Sequence, residues 1–524
     1  MRSGEDAAGD NGYDWDIAFM AKSIMANSML NAAAGLSLLV TGFFCSIIAA
    51  RLLGPEANGI IAFSLWLATT GALVAELGTG VTLLRILPQL KVQGFSAERR
   101  RGFAAYLLWP VLLSTVALLV VYALVFWESE QHHWATSAPS VVIITGVLLF
   151  IQSIGSYSKN YLIGEQELGP FFRLTMTASV LQLITVLAGA IVFGVAGALV
   201  GYAVGQAVPF FYSLGILGTR RDACDISARY LVGSSLILSL QFIVDSIFLN
   251  RIELFFLQQY HGVEVVGFYA VSLSLANLAL QLPVQLTGSL LPYYAEQLEA
   301  QESSKLPVRV FEGVVRSLSY ITLPMSFGLA AISWELVVAI YGRAFEPSGT
   351  IVAILALTAP PYVFGQVCTQ YLFSLDRVRE RLLIGIIGAI VMVGGAFLLV
   401  PALGGEGAAI VRFVVFLAMC ILMVRKMEFD GSMRSMFVSL AKVTLASAIC
   451  AIAAYGVTRV LPGVTGLVLA IMVGGAAYGV ALRIFHVIPA EDAMVLRKMI
   501  AKLPRRFAGI ASRILQIIAP GRLA

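Results

Sequence analysis

Asp245, Arg251 and Glu253 stand in DSIFLNRIELFF, inside a run otherwise apolar enough to cross a bilayer. An ionisable group at the bilayer centre costs roughly 2.5–3.5 kcal/mol on insertion scales, so such groups face protein or water. Arginine stays charged and can grip the oxygens of an anion with two donors. A carboxylate at that depth can carry a proton or a coupling ion. Arg251 is therefore the first candidate for holding an anionic ligand. Asp245 is the first for ion coupling, with Glu253 beside it. The plain alternative pairs Arg251 with Glu253 or Asp245, or lets it snorkel outward. At the period of a straight α-helix, Ser239, Ser246, Asn250 and Glu253 share one face, Gln241 and Asp245 stack on another, and Arg251 points a third way. A segment polar on several sides belongs in the centre of a bundle.

Glu76 and Arg85 follow a second apolar run, Glu76 as a coupling candidate and Arg85 as an anion ligand or an anchor at the inner surface. Arg51 closes the first run, as a ligand or as a charge on the helix dipole. Arg412 sits about a turn inside a later run, facing a cavity or snorkelling to the outer surface. Gln281 and Gln285, one turn apart, can bind sugar hydroxyls or a neighbouring helix.

These residues need helices in lipid to position them. Of 524 residues, 59% are hydrophobic and 12% charged, with a mean hydropathy of +0.87. A soluble chain carries about 25% charged residues. With about 20 apolar residues per crossing, fourteen spans are expected, near 28–50, 57–80, 103–126, 139–162, 171–193, 195–217, 231–256, 266–290, 310–333, 350–373, 382–400, 408–424, 439–460 and 464–485. Loops holding Arg99, Arg100 and Arg101, then Arg220 and Arg221, then Arg377, Arg379 and Arg381, then Arg425 and Lys426, alternate with loops poor in Lys and Arg. That bias predicts both termini inside. Met1 to Asp16 is acidic, unlike the basic start of a signal peptide, and reads as a cytoplasmic tail. Residues 486–524 read as a basic amphipathic tail, with Phe507, Ile510, Ile514 and Ile517 at helical spacing beside Arg505, Arg506 and Arg513.

The chain is internally repeated. Gly54, Glu56, Gly59, Ala62, Ser64, Leu65, Leu67 and Ala68 recur as Gly262, Glu264, Gly267, Ala270, Ser272, Leu273, Leu275 and Ala276. Tyr161-Leu162 recurs as Tyr371-Leu372, and Gly194, Gly197 and Ala198 as Gly404, Gly407 and Ala408. Six spans, an even number, separate the copies, so the expected architecture is all-α with two parallel six-helix lobes. The expected parts are a tail (1–27), an N-lobe (28–217), a linker (218–230), a C-lobe (231–426), an added helix pair (439–485) and the C-terminal tail.

ARLLGPE followed by Gly59 and Glu76-Leu77-Gly78, with Asp245 to Phe256, Gly262 to Ala270, Leu291-Pro292 and YGRAFEP, resembles polysaccharide flippases of the Wzx type. These belong to the multidrug/oligosaccharidyl-lipid/polysaccharide (MOP) exporter superfamily. The resemblance implies translocation of an undecaprenyl-pyrophosphate-linked oligosaccharide across a bacterial inner membrane. Implied partners are that lipid-linked substrate, the membrane lipids, and a polysaccharide polymerase or assembly machinery. Lipid II flippases of the same superfamily carry arginines in the first helix, whereas residues 23–50 here are uncharged. The fourteen-span plan is nonetheless similar to theirs, in which the added pair forms a groove for the lipid tail.

Other chemistries lack their residues. The chain has no P-loop, no GxGxxG after a strand and no GxSxG. Cys45, Cys224, Cys368, Cys420 and Cys450 have no CxxC spacing, and His132, His133, His261 and His486 form no metal set. No cofactor, metal or nucleic-acid partner is expected, and transport would run on ion or substrate gradients. A multidrug antiporter of the MATE type is the first alternative. A glycan polymerase or ligase is disfavoured because the longest outer loop, about Trp127 to Ala138, is short. Gly197, Gly201 and Gly205, and Gly475 with Gly479, are expected to mark close helix packing.

Overall fold

The computed structural model describes residues 10–127, 134, 139–224, 226, 236–237, 239–287, 290, 293–294, 297, 306–427, 429–430, 433–489, 492–494, 497, 500, 509 and 512. Its helices are α1 (Asp10–Ala75), α2 (Thr79–Val92), α3 (Ala97–Trp127), α4 (Pro139–Gly164), α5 (Leu168–Leu217), a π-helical segment (Val244–Leu249), α6 (Glu253–His261), α7 (Val263–Thr287), α8 (Val308–Tyr341), a 3-10 turn (Arg343–Phe345), α9 (Ser348–Leu357), α10 (Ala359–Ser374), α11 (Val378–Lys426), α12 (Arg434–Val460) and α13 (Val464–Ile484). Leu306–Pro307 and Phe429–Asp430 form one short parallel pairing.

Three helices are too long for one crossing. The apolar part of α1 has 43 residues, α5 has 50 and α11 has 49. At 1.5 Å per residue they would measure about 65–75 Å, against a hydrocarbon core of about 30 Å. Each breaks at a glycine: Gly54 (φ 84, ψ −179), Gly194 (φ 62, ψ −134) and Gly404 (φ 55, ψ −130). Only glycine adopts these angles without strain. At Gly194 and Gly404 the chain doubles back. Gly189 lies against Gly197, and Thr185 Oγ1 donates to Gly201 O at 3.0 Å. In α11, Leu399 lies against Gly407 and Val411 against Gly395. The two hairpins therefore have the same contacts at repeat-matched positions. Gly262 (φ 79, ψ −175) likewise matches Gly54, and Gln166 and Asp376 share a left-handed turn (φ 62 and 57).

Among the described residues, nine helices are long and apolar enough to span. The breaks in α1, α5 and α11 make them twelve spans. The apolar helix α7 and the described pieces of span seven bring the number to about fourteen. Two differences from the expected boundaries stand out. Residues 10–27, expected as part of a tail, are helical; their Ala and Met content favours this. Span two breaks at Leu77 (φ 50) and Gly78 (φ 75) and resumes as α2 through Val92. The amphipathic C-terminal tail lies largely outside the described residues, as do Arg229, Leu291-Pro292, His132 and His133.

Contacts divide the chain into two compact units, Met1–Leu53 with Ser64–Leu240, and Gly54–Phe63 with Gln241–Ala524. The first has a core of Leu83, Ile86, Leu87 and Leu90 from α2, Phe103 and Leu108 from α3, and Ile154 and Tyr157 from α4. At its charged end, Arg100 grips Glu165 with Nε and Nη2 (2.8 Å to Oε2), and Lys91 Nζ donates to Glu165 O at 3.1 Å. Arg99 sits 2.8 Å from Asp222 and holds that carboxyl below the usual carboxylate range.

The second unit packs Tyr294, Val363, Tyr371, Met392, Met419 and Met423 at its centre. Its two motif copies touch. A Cβ at Gly59 would land on the carbonyl oxygen of Val263, one at Gly267 on that of Pro55, and Asn58 Nδ2 donates to Gly267 O at 3.2 Å. Exchanging the copies exchanges the contacts, as in an isologous pair. The added helices α12 and α13 pack on α8 through Leu323, Val443 and Ala481, and through Ile332, Ala454 and Leu467. In α13 it is Gly474, one residue before the expected Gly475, that faces α12 at Cys450 and Ala454.

Candidate functional site

Span seven is not a straight α-helix. Val244–Leu249 is π-helical, and Asn250 Nδ2 donates to Asp245 O, five residues back, at 2.8 Å. The wider turn rotates Asn250 onto the side of Asp245, and both open on one cavity of about 90 Å³ lined also by Tyr362, Gln366, Thr369 and Arg381. A uniform α-helical period had put Asp245 and Asn250 on different faces. Inserted π turns frequently mark functional sites.

Two ion pairs flank this segment, the Arg412–Glu253 pair buried and the Arg381–Asp245 pair half-buried, and both arginines come from α11, one on each arm of its hairpin. Arg381 Nη2 lies 3.1 and 2.9 Å from the Asp245 carboxylate oxygens, and its Nε donates to Thr369 Oγ1 at 3.0 Å. Its Nη1 is buried and has no hydrogen-bond partner among the described residues. Arg412 Nε donates to Glu253 Oε1 at 2.8 Å, and its Nη2 donates to Asn250 O. Tyr269 Oη donates to Glu253 Oε1 at 3.4 Å. Glu253 is 0% exposed, which a carboxylate tolerates only when paired. A neighbouring cavity of about 70 Å³ shares Asn250, Tyr362 and Phe416 and adds Asn277, Gln281 and Arg412. Tyr362 and Phe416 meet edge to face at 4.9 Å.

The structure thus groups Asp245, Glu253, Arg412 and Gln281 around the π segment. The ion-pair partners of Asp245 and Glu253 are Arg381 and Arg412. Arg251 and Gln285 are exposed. Arg381 read from sequence as an inner-loop charge, yet it is 4% exposed. A usable signal existed along α10 and its N-cap: Thr358, Tyr362, Gln366 and Thr369 recur at helical spacing in an apolar run.

In the first unit Glu76 is buried at the break in span two. Ser156 Oγ donates to its Oε1 at 2.5 Å and Asn160 Nδ2 at 3.4 Å, while Thr79 N and Oγ1 donate to its backbone carbonyl at 2.9 and 2.7 Å. The charge of Lys159 acts on the same carboxylate. Broken helices are where spanning segments place ion and substrate ligands. Arg85 on α2 and Arg51 on α1 are exposed. Among the described residues no three His, Cys, Asp or Glu side chains cluster as metal ligands.

Comparison with known proteins gives a family and a fold. The model of the family described as "Polysaccharide biosynthesis protein" matches residues 48–350. No curated protein matches the chain. A solved structure of the lipid II flippase MurJ in an inward closed conformation is similar with a TM-score of 0.67 and 14% identity, over 87% of this chain and 98% of that one. An inward-facing multidrug resistance MATE family transporter of the MOP superfamily is similar with a TM-score of 0.55 and 17% identity, over 78% and 96%. At these identities the likeness is one of fold: a multi-pass helical membrane protein folded like these transporters.

Proposed function

The chain belongs to the polysaccharide biosynthesis protein family, and on that premise we propose that it carries an undecaprenyl-pyrophosphate-linked oligosaccharide across the bacterial inner membrane by rocking-lobe alternating access. The observation that carries this reading is the family match over residues 48–350, on a fold shared with a lipid II flippase. The guanidiniums of Arg251, Arg85 and Arg51 are the proposed ligands of the pyrophosphate, because a lipid pyrophosphate needs fixed cations along its path. Gln281 and Gln285 are proposed to bond sugar hydroxyls. Asp245 and Glu76 are the proposed coupling groups. Glu253 and Arg412 act with them by holding the backbone of Asn250 at the cavity. An apolar groove of about 550 Å³ between α8, α12 and α13, lined by Met325, Leu329, Ile332, Ala454, Gly474 and Tyr478, fits a polyisoprenoid tail.

The test is surface polysaccharide in a flippase-null strain complemented with each variant, normalised to protein abundance. Arg251→Ala should abolish export at normal abundance, and Arg251→Lys, which keeps the charge but loses the fork, should impair it in part. Full polysaccharide from both Arg251→Ala and Arg85→Ala would defeat the cationic reading and favour a drug antiporter.

A further inference from the structure

A further polar cavity lies wholly within the first unit, among α1, α4 and α5. It is lined by Thr41, Lys159, Thr175, Ser179, Gln182 and Gln206, together with apolar side chains. Its volume of about 20 Å³ exceeds the minimum that one small occupant needs. Thr175 and Ser179 are 1% and 4% exposed, and neither hydroxyl has a hydrogen-bond partner among the described residues. Buried hydroxyls without a partner are rare in native proteins and point to an occupant.

The donor set says which occupant. One ammonium, three hydroxyls and two carboxamides line the space, and no carboxylate does. Glu76, whose charge acts on Lys159, is outside the wall and is engaged by Ser156 and Asn160. A cation would meet Lys159 without an acid in the wall to offset it. Among anions, a monatomic one fits a space of this size most readily. We propose that this cavity is a binding site for one small monovalent anion of the halide class, held by Lys159, Thr175 and Ser179. The anion accepts from both orphaned hydroxyls and gives the ammonium a counter-charge, tying α4 to α5.

The test uses the purified full chain in detergent at constant ionic strength, in sodium chloride, bromide or gluconate. A ligand that binds only the folded state raises its unfolding temperature. The expected result is a midpoint at least about 2 °C higher in either halide than in gluconate. That difference should vanish in Lys159→Met and in Thr175→Val with Ser179→Ala. Crystals grown in bromide should show an anomalous peak between the three side chains. Should Lys159→Met fail to fold, the hydroxyl variant decides alone. Equal midpoints in all three salts, a halide effect that survives the substitutions, or no anomalous peak would each overturn the proposal and leave the cavity to water. None of these readouts depends on transport, so they stand or fall apart from the flippase reading.

Discussion

Arg412 and Glu253 show how much one buried pair can decide. Removing one partner of such a pair leaves an uncompensated charge, at about 3–5 kcal/mol. Arg412→Ala should therefore lower the unfolding temperature of the purified protein sharply and reduce its abundance in the membrane. Arg412→Leu combined with Glu253→Leu should lose less, because a matched apolar pair leaves no charge behind. Equal losses in both variants would place the effect in packing. Asp245 stands differently, since its carboxylate shares a cavity with Arg381. Asp245→Asn keeps a hydrogen-bond acceptor for Arg381 and removes the titrating group. Export should fall with abundance unchanged if Asp245 governs coupling, and full export from this variant would remove it from that role. Both carboxylates could be singled out in the sequence because an acid in an apolar run is conspicuous. Arg412 was conspicuous for the same reason, but the pairing was not legible, because Arg381 and Arg412 stand more than a hundred residues away and close the pairs only when α11 folds back beside span seven.

At the scale of the element, the glycine breaks make spans out of overlong helices. Gly194 and Gly404 hold angles that a Cβ does not accept, at about 1–3 kcal/mol for a strained residue. Gly194→Ala and Gly404→Ala should each lower thermal stability by that order, whereas Gly475→Ala, where an added Cβ meets nothing within 4 Å, should be neutral. Equal effects at all three would contradict the hairpins. The contact of the motif copies makes a harder demand. Gly59→Val or Gly267→Val drives a side chain into a facing backbone carbonyl, so either should disturb the protein more than Gly54→Ala does, and detergent unfolding reads the order. The glycines themselves were visible as repeated letters. The π segment was not, because inserting one residue into a turn leaves no mark in hydrophobic periodicity. Only the folded backbone of Val244–Leu249 reveals it.

For the whole molecule, the distribution of Lys and Arg makes a topological prediction. Reporter fusions after Arg100 and Arg379 should read cytoplasmic, and fusions after Gly262 and Glu130 should read outside. Glu130 itself lies outside the described residues. A cytoplasmic reading at Gly262 would overturn the arrangement with both termini inside. The groove on α8 adds a second test at this scale. Gly475→Trp, at a groove position where an added Cβ meets nothing within 4 Å, fills it without touching either ion pair and should lower export while the unit stays folded. Unchanged export would free the groove from any part in carrying the lipid.

Composition and apolar spacing by themselves determined the solvent, the number of spans and the duplication, and set the expected direction of the spans. All four depend on local length, on charge at the membrane surface, or on identity between segments, and these are properties of the chain read in order. The family likeness was legible for the same reason, in the letters around Gly54, Glu76 and Gly262. Tertiary structure alone decided which charges neutralise one another, that Arg381 is a wall residue of a cavity and not a loop charge, and that Asp245 and Asn250 face the same space. Those outcomes depend on pairs distant in sequence and on one extra residue in a helical turn. Lipid tolerates almost any apolar side chain, so the letters around these residues carry little record of which helix lies next to which.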